Sequence, residues 1–217
     1  GHIIGIFQKT INYLAVGIEP IYIFDGKPPQ EKNTVLKERR EKSEQLKKLM
    51  DESTDTEKKE KYKAQSYRLS KEDVDNVKKL LSLMGVSYIQ ADGEAEGYAS
   101  ELCKIGYVDG VVTEDMDSLA FGTPILIRSN IDRTIKRRDV ISVINMEKIL
   151  QEMELTFDEF LDVCIMSGCD YCENIKGIGS NKSFQKIKEH KTIEKFVENY
   201  SGVSDEYLPS VQKSREL

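Results

Sequence analysis

Three short apolar segments, each followed by acidic residues, constrain the fold of this 217-residue chain more than any other feature. The segments are residues 19–24, 86–89 and 110–113, and the acids that follow them include Asp25, Asp92 and Asp115. Such segments are typical of strands buried on both faces of a parallel sheet. Helical patterns separate them at residues 73–84 and 94–105, so the alternation predicts an α/β fold. In such folds sites form beyond the carboxyl ends of the strands, where these acids lie.

The composition excludes several classes of protein. A chain of 217 residues is long enough for one or two domains with a buried core, and no segment has the length of apolar sequence that spans a membrane. With 32 Lys and Arg against 38 Asp and Glu the net charge is −6, which argues against a protein that simply coats nucleic acid. Four cysteines without a hydrophobic N-terminal segment predict free thiols in a reducing compartment. We therefore expect a soluble protein without disulfides.

A long charged insert at residues 31–71 follows the first predicted strand and Asp25. It is rich in helix-forming residues and poor in large apolar ones, so it cannot form core. Residues 31–48 contain seven Lys and Arg against four Glu, and residues 57–71 contain six against two. A solvated pair of helices would explain this composition equally well. Its position after a strand-end aspartate favours a basic surface beside a functional site.

The rest of the chain predicts further elements. Apolar positions in residues 1–17 recur at helical spacing, and residues 124–128 and 140–144 have strand patterns. Helical patterns follow at residues 146–153, 157–167, 183–189 and 193–199, and residues 210–217 have the pattern of a helix that has just begun. Neither end of the chain has a helix boundary signal, so we expect it to be part of a longer protein.

Carboxylates are the strongest candidates for a site. The candidates are Asp25, Asp92, Glu94, Glu96, Asp115, Asp117 and Asp170. Each alone has a structural explanation as a turn or helix-capping residue. Together at the ends of neighbouring strands they would repel one another unless cations neutralised them. Oxygen ligands without histidine favour Mg²⁺ or Mn²⁺ over zinc, and two such ions roughly 4 Å apart can promote hydrolysis of a phosphodiester.

Spacing decides which of these carboxylates can share a metal. Asp115 and Asp117 point to the same face only if the extended conformation continues to Asp117. Glu94 and Glu96 would diverge by roughly 200° on a helix. They can share a metal only if Glu94 precedes the helix or lies in its first turn, which Gly93 permits.

The cysteines offer a rival metal site. Cys164, Cys169 and Cys172 lie close together in the sequence. A fourth ligand at suitable spacing is missing, because Cys103 is distant and the chain has only two histidines. We therefore interpret the cysteines as structural, mostly buried thiols.

A glycine-containing turn at residues 175–182 predicts a phosphate-binding site. Gly177 and Gly179 would let backbone N–H groups approach a phosphate at the N-terminus of the next helix. Residues 176–195 contain six Lys against two Glu. Such a turn alone is common, but with the basic insert it gives two positive surfaces beside an acidic centre. Local charge governs phosphate contacts more than net charge does.

Four motifs in order resemble the flap endonucleases among the XPG-type structure-specific nucleases. They are FDGKPP at residues 24–29, DGEAE at 92–96, TEDMD at 113–117, and GCDYC at 168–172, which leads into GIG at 177–179. The resemblance implies an α/β fold with a twisted, mostly parallel central sheet flanked by helices, which is a PIN-like nuclease core. It implies that this core spans residues 1–145 with a helical arch at about 31–71, and that residues 146–217 contain a helix-two-turn-helix DNA-binding motif.

The resemblance also implies roles for individual residues. The carboxylates that match ligands of two Mg²⁺ ions are Asp25, Glu94, Glu96, Asp115, Asp117 and Asp170. Lys32 and Arg39 match basic catalytic residues that steer the scissile phosphate, and their spacing places both on one helix face. The expected DNA contacts are Lys9, Lys32, Arg39, Gly177, Gly179, Lys182 and Lys186. Mn²⁺ is expected to substitute for Mg²⁺, and K⁺ to bind at the helix-two-turn-helix.

The activity implied by the resemblance is that of a nuclear, monomeric 5′ flap endonuclease and 5′-to-3′ exonuclease acting on branched DNA in replication and repair. The family's N-terminal strand, with one further metal-binding aspartate, and its sliding-clamp-binding tail have no counterpart in the chain. Whether this segment is active alone is therefore open. The residues after the GIG turn also differ, because Ser180, Asn181 and Lys182 stand where the family usually has Pro-Lys-Arg.

Other functions are compatible with parts of the sequence. The chain could belong to a DNA-binding or scaffolding homologue that kept the carboxylates but does not cut, or to the exonuclease or junction-resolving branch of the same family. An apolar strand that ends in Asp25 also suggests a phosphatase of the haloacid-dehalogenase type. That class needs a second aspartate two residues later, where this chain has Lys27.

Overall fold

The computed structural model describes residues 1–29, 32–53, 55–66, 69–129, 141–200 and 202–216. The chain forms two compact units, an N-terminal unit of Gly1–Glu94 and a C-terminal unit of Ala95–Leu217. Across the described ranges, none of the helices combines the length and apolar character that a membrane crossing requires. The predicted division at residue 145, between a nuclease core and a helical region, stays a prediction.

The N-terminal unit is built on two short parallel strands, β1 (Tyr22–Phe24) and β2 (Tyr88–Gln90). Helix α1 (His2–Ala15) precedes β1, and the crossover between the strands contains α2 (Asn33–Glu52), α3 (Thr56–Ser66) and α4 (Lys71–Leu83). A parallel pair requires a long crossover of this kind. The predicted alternation of strands and helices is therefore confirmed in this unit.

Helices α1 and α4 supply half of the residues in the core cluster of this unit. Leu81 of α4 is fully buried, and Ile6 of α1 and Phe24 of β1 pack against the cluster to which it belongs. A capping box starts α4, because the Ser70 hydroxyl accepts a hydrogen bond from the Asp73 N–H at 3.1 Å while Asp73 accepts one from the Ser70 N–H at 2.9 Å. The cap fixes where α4 begins and so which of its faces meets the strands.

The insert forms the pair of helices that its composition predicts. Helices α2 and α3 pack against each other, and the Ser43 hydroxyl of α2 donates a hydrogen bond to the Ser66 carbonyl at 3.2 Å. Within the described part of the insert, no residue of α2 or α3 joins a hydrophobic core cluster. The insert is therefore a surface element, and its use as a DNA arch stays a prediction.

The C-terminal unit contains a three-stranded sheet of β3 (Val111–Val112), β4 (Ile125–Ser129) and β5 (Ile141–Asn145). Strand β3 runs parallel to β4, whereas β4 and β5 are antiparallel. Two of the three strand pairings in the described chain are thus parallel, in agreement with a mostly parallel α/β fold. The antiparallel pairing is a feature that the sequence patterns did not predict.

Seven helices complete the described part of this unit. They are α5 (Ala95–Lys104), α6 (Asp117–Ala120), α7 (Met146–Met153), α8 (Phe157–Ser167), α9 (Ser180–His190), α10 (Ile193–Val197) and α11 (Tyr207–Glu216). Their main core contains fully buried side chains from four helices: Met166, Ile187, Ile193 and Val211. The C-terminal helices are therefore one packed body rather than separate surface elements.

The predicted boundaries agree closely with these elements. Helices α7 and α8 have the predicted ranges, whereas α9 begins three residues before the predicted residue 183. The difference arises because the apolar pattern begins only after the first turn, which carries Ser180, Asn181 and Lys182. Glu31 of the insert, Val140 of the fifth predicted strand and Leu217 lie outside the described residues.

A mostly buried ion network joins α8, α10 and α11. Arg215 donates hydrogen bonds through Nε and Nη2 to Asp162 Oδ1, at 2.8 and 2.6 Å, and through Nη1 to Glu194 Oε1 at 2.6 Å. The Ile193 N–H donates to Asp162 Oδ2 at 3.1 Å. Burial raises the pKa of the Asp162 carboxyl, an effect that the Arg215 hydrogen bonds oppose, while Arg215 lowers the pKa of Glu194. One arginine therefore ties three helices together.

The substitution Arg215→Met tests this network. It leaves the Asp162 carboxylate, whose side chain is only 5% exposed, without its cation. We expect the free energy of unfolding to fall by roughly 3–5 kcal/mol, measured by urea denaturation at pH 7. Lys213→Met changes an exposed lysine on the same helix and is expected to alter it by less than about 0.5 kcal/mol. Equal effects of the two substitutions would contradict a stabilising role for the network.

Candidate active site

The loops that follow β1 and β2 are hydrogen-bonded to each other. The Gly26 N–H donates to the Gly93 carbonyl at 2.7 Å, and a second bond of 3.1 Å follows one residue further along the first loop. Hydrogen bonding between the two segments thus continues past both strands, although it leaves the parallel register there. As a result, the loop that carries Asp25 runs beside the loop that carries Asp92 and Glu94, at the carboxyl edge of the strand pair.

Gly26 makes this close approach possible. A Cβ atom built at Gly26 would lie 2.5 Å from the carbonyl carbon and oxygen of Asp92, and closer still to the carbonyl oxygen of Ala91. Backbone atoms cannot move aside as the end of a flexible side chain can. The glycine in the FDGKPP motif is therefore explained by packing of one backbone on another.

Lys32 connects the insert to this edge. It is the N-cap residue of α2, and its ammonium group pairs with the Glu94 carboxylate. The two side chains are 17% and 15% exposed, so solvent screens the pair only weakly. Arg39, seven residues further along, lies exposed on α2, and Lys9 of α1 lies 5.8 Å from the centre of the Tyr13 ring. The structure thus brings the predicted catalytic Lys32 onto the predicted metal ligand Glu94.

Sequence reasoning missed one residue at this edge, Gln90. Its Nε2 donates to the backbone carbonyl of Asp25 at 2.6 Å, and its Oε1 accepts a hydrogen bond from Lys78 of α4 at 2.6 Å. Gln90 therefore holds the main chain at Asp25 from the neighbouring strand. The available signal was a polar amide at the end of an otherwise apolar strand.

Asp115 and Asp117 are linked through the main chain of Asp117. Asp115 Oδ1 accepts a hydrogen bond from the Asp117 N–H at 3.0 Å, and Thr113 Oγ1 accepts one from the Asp115 N–H at 3.1 Å. Helix α6 begins at Asp117, so the extended conformation does not continue to that residue. The condition for convergence on one strand face is therefore not met, because a turn at Asp115 and the start of α6 replace the extended conformation.

The condition set for Glu94 and Glu96 is met. Helix α5 begins at Ala95, so Glu94 precedes the helix and Glu96 lies in its first turn. Because Glu94 is not part of the helix, the roughly 200° divergence of residues two apart on a helix does not apply to this pair.

Asp170 lies in a turn at the end of α8. The turn is closed by an antiparallel β-bridge between the main chains of Cys169 and Cys172, which are not disulfide-bonded. Burial, with the nearby negative charge of Asp117 as a further cause, raises the pKa of the Cys164 thiol of α8 to about 12. Asp117 thus lies near the C-terminal part of α8, and the turn with Asp170 follows that helix.

The cysteines have the properties of structural thiols. All four are free, and Cys103 and Cys172 are buried. Burial also raises the pKa of the Cys172 thiol, so Cys164 and Cys172 both stay protonated at neutral pH. Because the thiolate is the form that binds metal, a zinc site is disfavoured.

The carboxylates provide the donor chemistry for divalent cations. Hard oxygen donors of this type suit Mg²⁺ and Mn²⁺. Asp25 and Glu94 belong to the N-terminal unit, and Glu96, Asp115, Asp117 and Asp170 belong to the C-terminal unit. Within either unit taken by itself, the described residues contain no group of three or more His, Cys, Asp or Glu side chains that could hold a metal ion. The assignment of the six carboxylates as ligands stays a prediction.

The predicted phosphate-binding turn leads into α9. Gly177 has a φ of +81°, which favours glycine. Gly179 is the N-cap residue of α9, and no side chain caps this helix N-terminus. A Cβ atom built at either glycine would meet nothing within 4 Å. The helix N-terminus is thus an open surface that a phosphate can approach.

Lysines surround this turn. Lys182 donates to the Gly177 carbonyl at 2.8 Å and so closes the turn, while Lys186 pairs with Glu189 at 2.8 Å. Exposed pairs of this kind contribute little to stability. The ammonium group of Lys186 can therefore exchange its carboxylate for a phosphate at small cost.

Comparisons with known proteins agree with this geometry. The XPG N-terminal domain matches residues 1–46 and the XPG I-region matches residues 85–170, which together are more than half of the chain. Flap endonuclease 1 of Aedes aegypti is 44% identical over 201 residues, which are 91% of this chain and 53% of that protein. The chain spans about half the length of the curated relatives it matches.

Solved structures share the fold. Flap endonuclease-1 from Methanococcus jannaschii has a TM-score of 0.68 at 31% identity, with 98% of this chain and 66% of that chain covered. The catalytic core of Rad2 in complex with DNA substrate has a TM-score of 0.72 at 22% identity, with 98% and 68% covered. The fold is therefore the α/β fold of the PIN-like nucleases. Taken with the two matched regions and the relatives, it shows that this chain belongs to the XPG family.

The substitution Gly26→Ala tests the close approach of the two loops. The added methyl group must push the backbone at Ala91 and Asp92 away, so we expect a loss of about 1–3 kcal/mol in the free energy of unfolding. Gly93→Ala is the control on the facing loop, because a Cβ atom there meets nothing within 4 Å. Urea denaturation measures both variants, and an unchanged stability of Gly26→Ala would mean that the loops are not joined in this way.

The substitutions Gly177→Ala and Gly179→Ala separate the two glycines of the turn. Gly177→Ala places a side chain at a φ of +81° and should cost about 1 kcal/mol of stability. Gly179, with a φ of −112°, should accept alanine without loss of stability. If the backbone at Gly179 contacts phosphate, Gly179→Ala will still weaken duplex DNA binding in a fluorescence anisotropy titration. Full binding by that variant would argue against such a contact.

Proposed function

We propose that the protein to which this chain belongs is a Mg²⁺-dependent, structure-specific nuclease that cuts 5′ flaps in branched DNA. The reaction is hydrolysis of a phosphodiester bond, and removal of nucleotides from 5′ ends is expected from the same site. Membership of the XPG family and similarity to proteins named flap endonuclease 1 support this proposal.

The observation that carries the proposal is the joined carboxyl edge of β1 and β2. Asp25 and Glu94 leave neighbouring loops there, and Lys32 reaches Glu94 from the start of the insert. Acidic and basic groups thus meet at one place. A phosphodiester hydrolase needs both, because the acids can hold cations and the lysine can attract the phosphate.

The proposed roles follow from charge. Divalent cations, when bound, would stabilise both the attacking and the leaving oxygen. The residues that would hold them are Asp25, Glu94, Glu96, Asp115, Asp117 and Asp170. Lys32 and Arg39 supply positive charge for the phosphate oxygens, and they act from a helix that begins at the acidic edge. Asp115 also orders the start of α6, since it accepts the Asp117 N–H.

The proposed DNA contacts lie on two basic surfaces. The insert would form an arch over a 5′ single strand, with Lys32 and Arg39 at its base, and Lys9 would contact DNA from α1. The turn at Gly177 and Gly179 would grip the duplex through backbone N–H groups. Lys182 and Lys186 would add electrostatic attraction that weakens as salt rises.

Several finer expectations belong to the same proposal. Mn²⁺ would replace Mg²⁺, K⁺ would bind at the turn before α9, and a sliding clamp would bind a tail beyond the chain described here. A location in the nucleus is expected because the relatives are eukaryotic proteins. A monomer is expected from the family resemblance. The exonuclease and junction-resolving branches of the family differ from this proposal in substrate and not in chemistry.

A cleavage assay with a labelled 5′-flap substrate and Mg²⁺ tests the proposal on the full-length protein. Asp115→Ala removes both a proposed ligand and the carboxylate that accepts the Asp117 N–H, so we expect cleavage to fall by at least about 100-fold. Asp109→Ala is the control. Asp109 is an exposed aspartate just before β3, at the opposite end of that strand from Asp115.

The outcomes divide the candidate functions. Equal cleavage by Asp115→Ala and the wild type would refute the carboxylate mechanism. A wild type that binds the flap but cuts no substrate under any divalent cation would instead favour a DNA-binding homologue without activity. Preferential cleavage of a four-way junction would favour the junction-resolving branch.

A further inference from the structure

Three hydroxyl side chains form a fully buried cluster in the C-terminal unit. Ser100 lies on α5, Ser118 on α6, and Thr123 in the loop between α6 and β4, and each has no exposed surface. Thr123 Oγ1 lies 2.5 Å from Ser100 Oγ and 2.6 Å from Ser118 Oγ. We call these three residues the hydroxyl cluster. These short contacts join α5 and α6, and both helices carry predicted metal ligands.

The cluster ends on the main chain of those ligands. The Ser100 hydroxyl donates to the backbone carbonyl of Glu96 at 2.7 Å. Ser118 directly follows Asp117, and the Ser118 carbonyl accepts hydrogen bonds from the hydroxyl of Thr123 at 2.7 Å and from its N–H at 3.3 Å. The cluster therefore connects the first turn of α5, with Glu96, to the start of α6, with Asp117.

Counting protons shows how this connection can be satisfied. Each hydroxyl has a single hydrogen to donate. Ser100 donates to the Glu96 carbonyl. If Ser118 donates to Thr123, the one hydrogen of Thr123 is shared between the Ser118 carbonyl and the Ser100 oxygen, and no buried donor is left over. A chain of this kind fixes both ends at once, because buried polar groups that lose a partner are costly.

We propose that the hydroxyl cluster is a positioning device for the carboxylates of Glu96 and Asp117 and thereby sets the affinity of the site for divalent cations. The inference rests on the proposed function. Residues that support metal ligands through hydrogen bonds commonly change metal affinity or activity by 10- to 100-fold when they are removed. All three hydroxyls are fully buried, so they would act through the two carboxylates.

Two substitutions at one position separate the hydroxyl from the shape of the side chain. Thr123→Val keeps the shape and removes the hydroxyl, whereas Thr123→Ser keeps the hydroxyl and removes a methyl group. In the full-length protein, we expect Thr123→Val to weaken Mn²⁺ binding about tenfold, measured from the free-ion signal in electron paramagnetic resonance. The Mg²⁺ concentration for half-maximal flap cleavage should rise by a similar factor while KM for DNA stays unchanged. Thr123→Ser should behave as the wild type.

A matched control and a second variant complete the experiment. Ser214→Ala removes a mostly buried hydroxyl of α11 that also donates to a carbonyl four residues earlier, at 2.8 Å, and it should leave Mn²⁺ affinity unchanged. If Thr123→Val does not fold, as judged by circular dichroism, Ser100→Ala is used instead. It removes the hydrogen bond from the cluster to the Glu96 carbonyl. Ser100→Ala should then bind Mn²⁺ more weakly than the wild type does.

The results distinguish failure of this inference from failure of the proposed function. Wild-type Mn²⁺ affinity in folded Thr123→Val, or in Ser100→Ala where that variant replaces it, would overturn the inference. Equal weakening by Thr123→Ser and Thr123→Val would also overturn it, because packing would then be the cause. Asp115→Asn in the same titration examines the metal site itself. If it binds Mn²⁺ as tightly as the wild type does, the carboxylate site fails and the inference fails with it.

Discussion

The hydrogen bonds that continue past the ends of β1 and β2 are the constraint on which the N-terminal part of the candidate site depends. They exist only because Gly26 lets one backbone lie against the other, where any Cβ would collide with carbonyl atoms of Ala91 and Asp92. Joining the loops in this way also brings acidic side chains to one edge. The ammonium of Lys32 pairs with Glu94 there, so backbone packing and charge balance support each other at that edge.

Segregation of charge reconciles an acidic chain with the proposed binding of phosphate. The net charge is −6, yet the insert and the region around α9 are locally basic. Several lysines near α9 pair with exposed carboxylates, such as Lys188 with Glu154 at 2.6 Å, and such pairs are weak in water. A polyanion can therefore replace these partners, whereas the well-shielded pair of Lys32 and Glu94 is held much more firmly. The two kinds of lysine differ in burial rather than in residue type.

The elements were predictable from the sequence because burial leaves a periodic trace. The helices α7 and α8 and the short strands before Asp25 and Asp92 all appear where the apolar patterns indicate. The pairing of β4 with β5 was not predictable, since strand direction depends on partners that periodicity does not encode. The turn at Asp115 was also missed, because an aspartate can accept the N–H of the residue two positions later in a turn as easily as it can extend a strand. Local competition between side-chain and backbone hydrogen bonds decided that case.

Supporting residues are harder to recognise than the acids that they support. A carboxylate at a strand end is conspicuous, since chemistry is the usual reason to crowd charges. Ser100, Ser118 and Thr123 have the composition of solvent-facing positions, and Gln90 has that of an exposed strand end. Their value becomes visible only when all three hydroxyls prove to be buried and mutually satisfied. An apolar trio of the same size would fill that space without aligning α5 and α6, because dispersion contacts are non-directional whereas a hydrogen bond fixes distance and angle. Directional contacts behind the acids are therefore what a site with tight geometric demands requires, and the acids alone do not supply them.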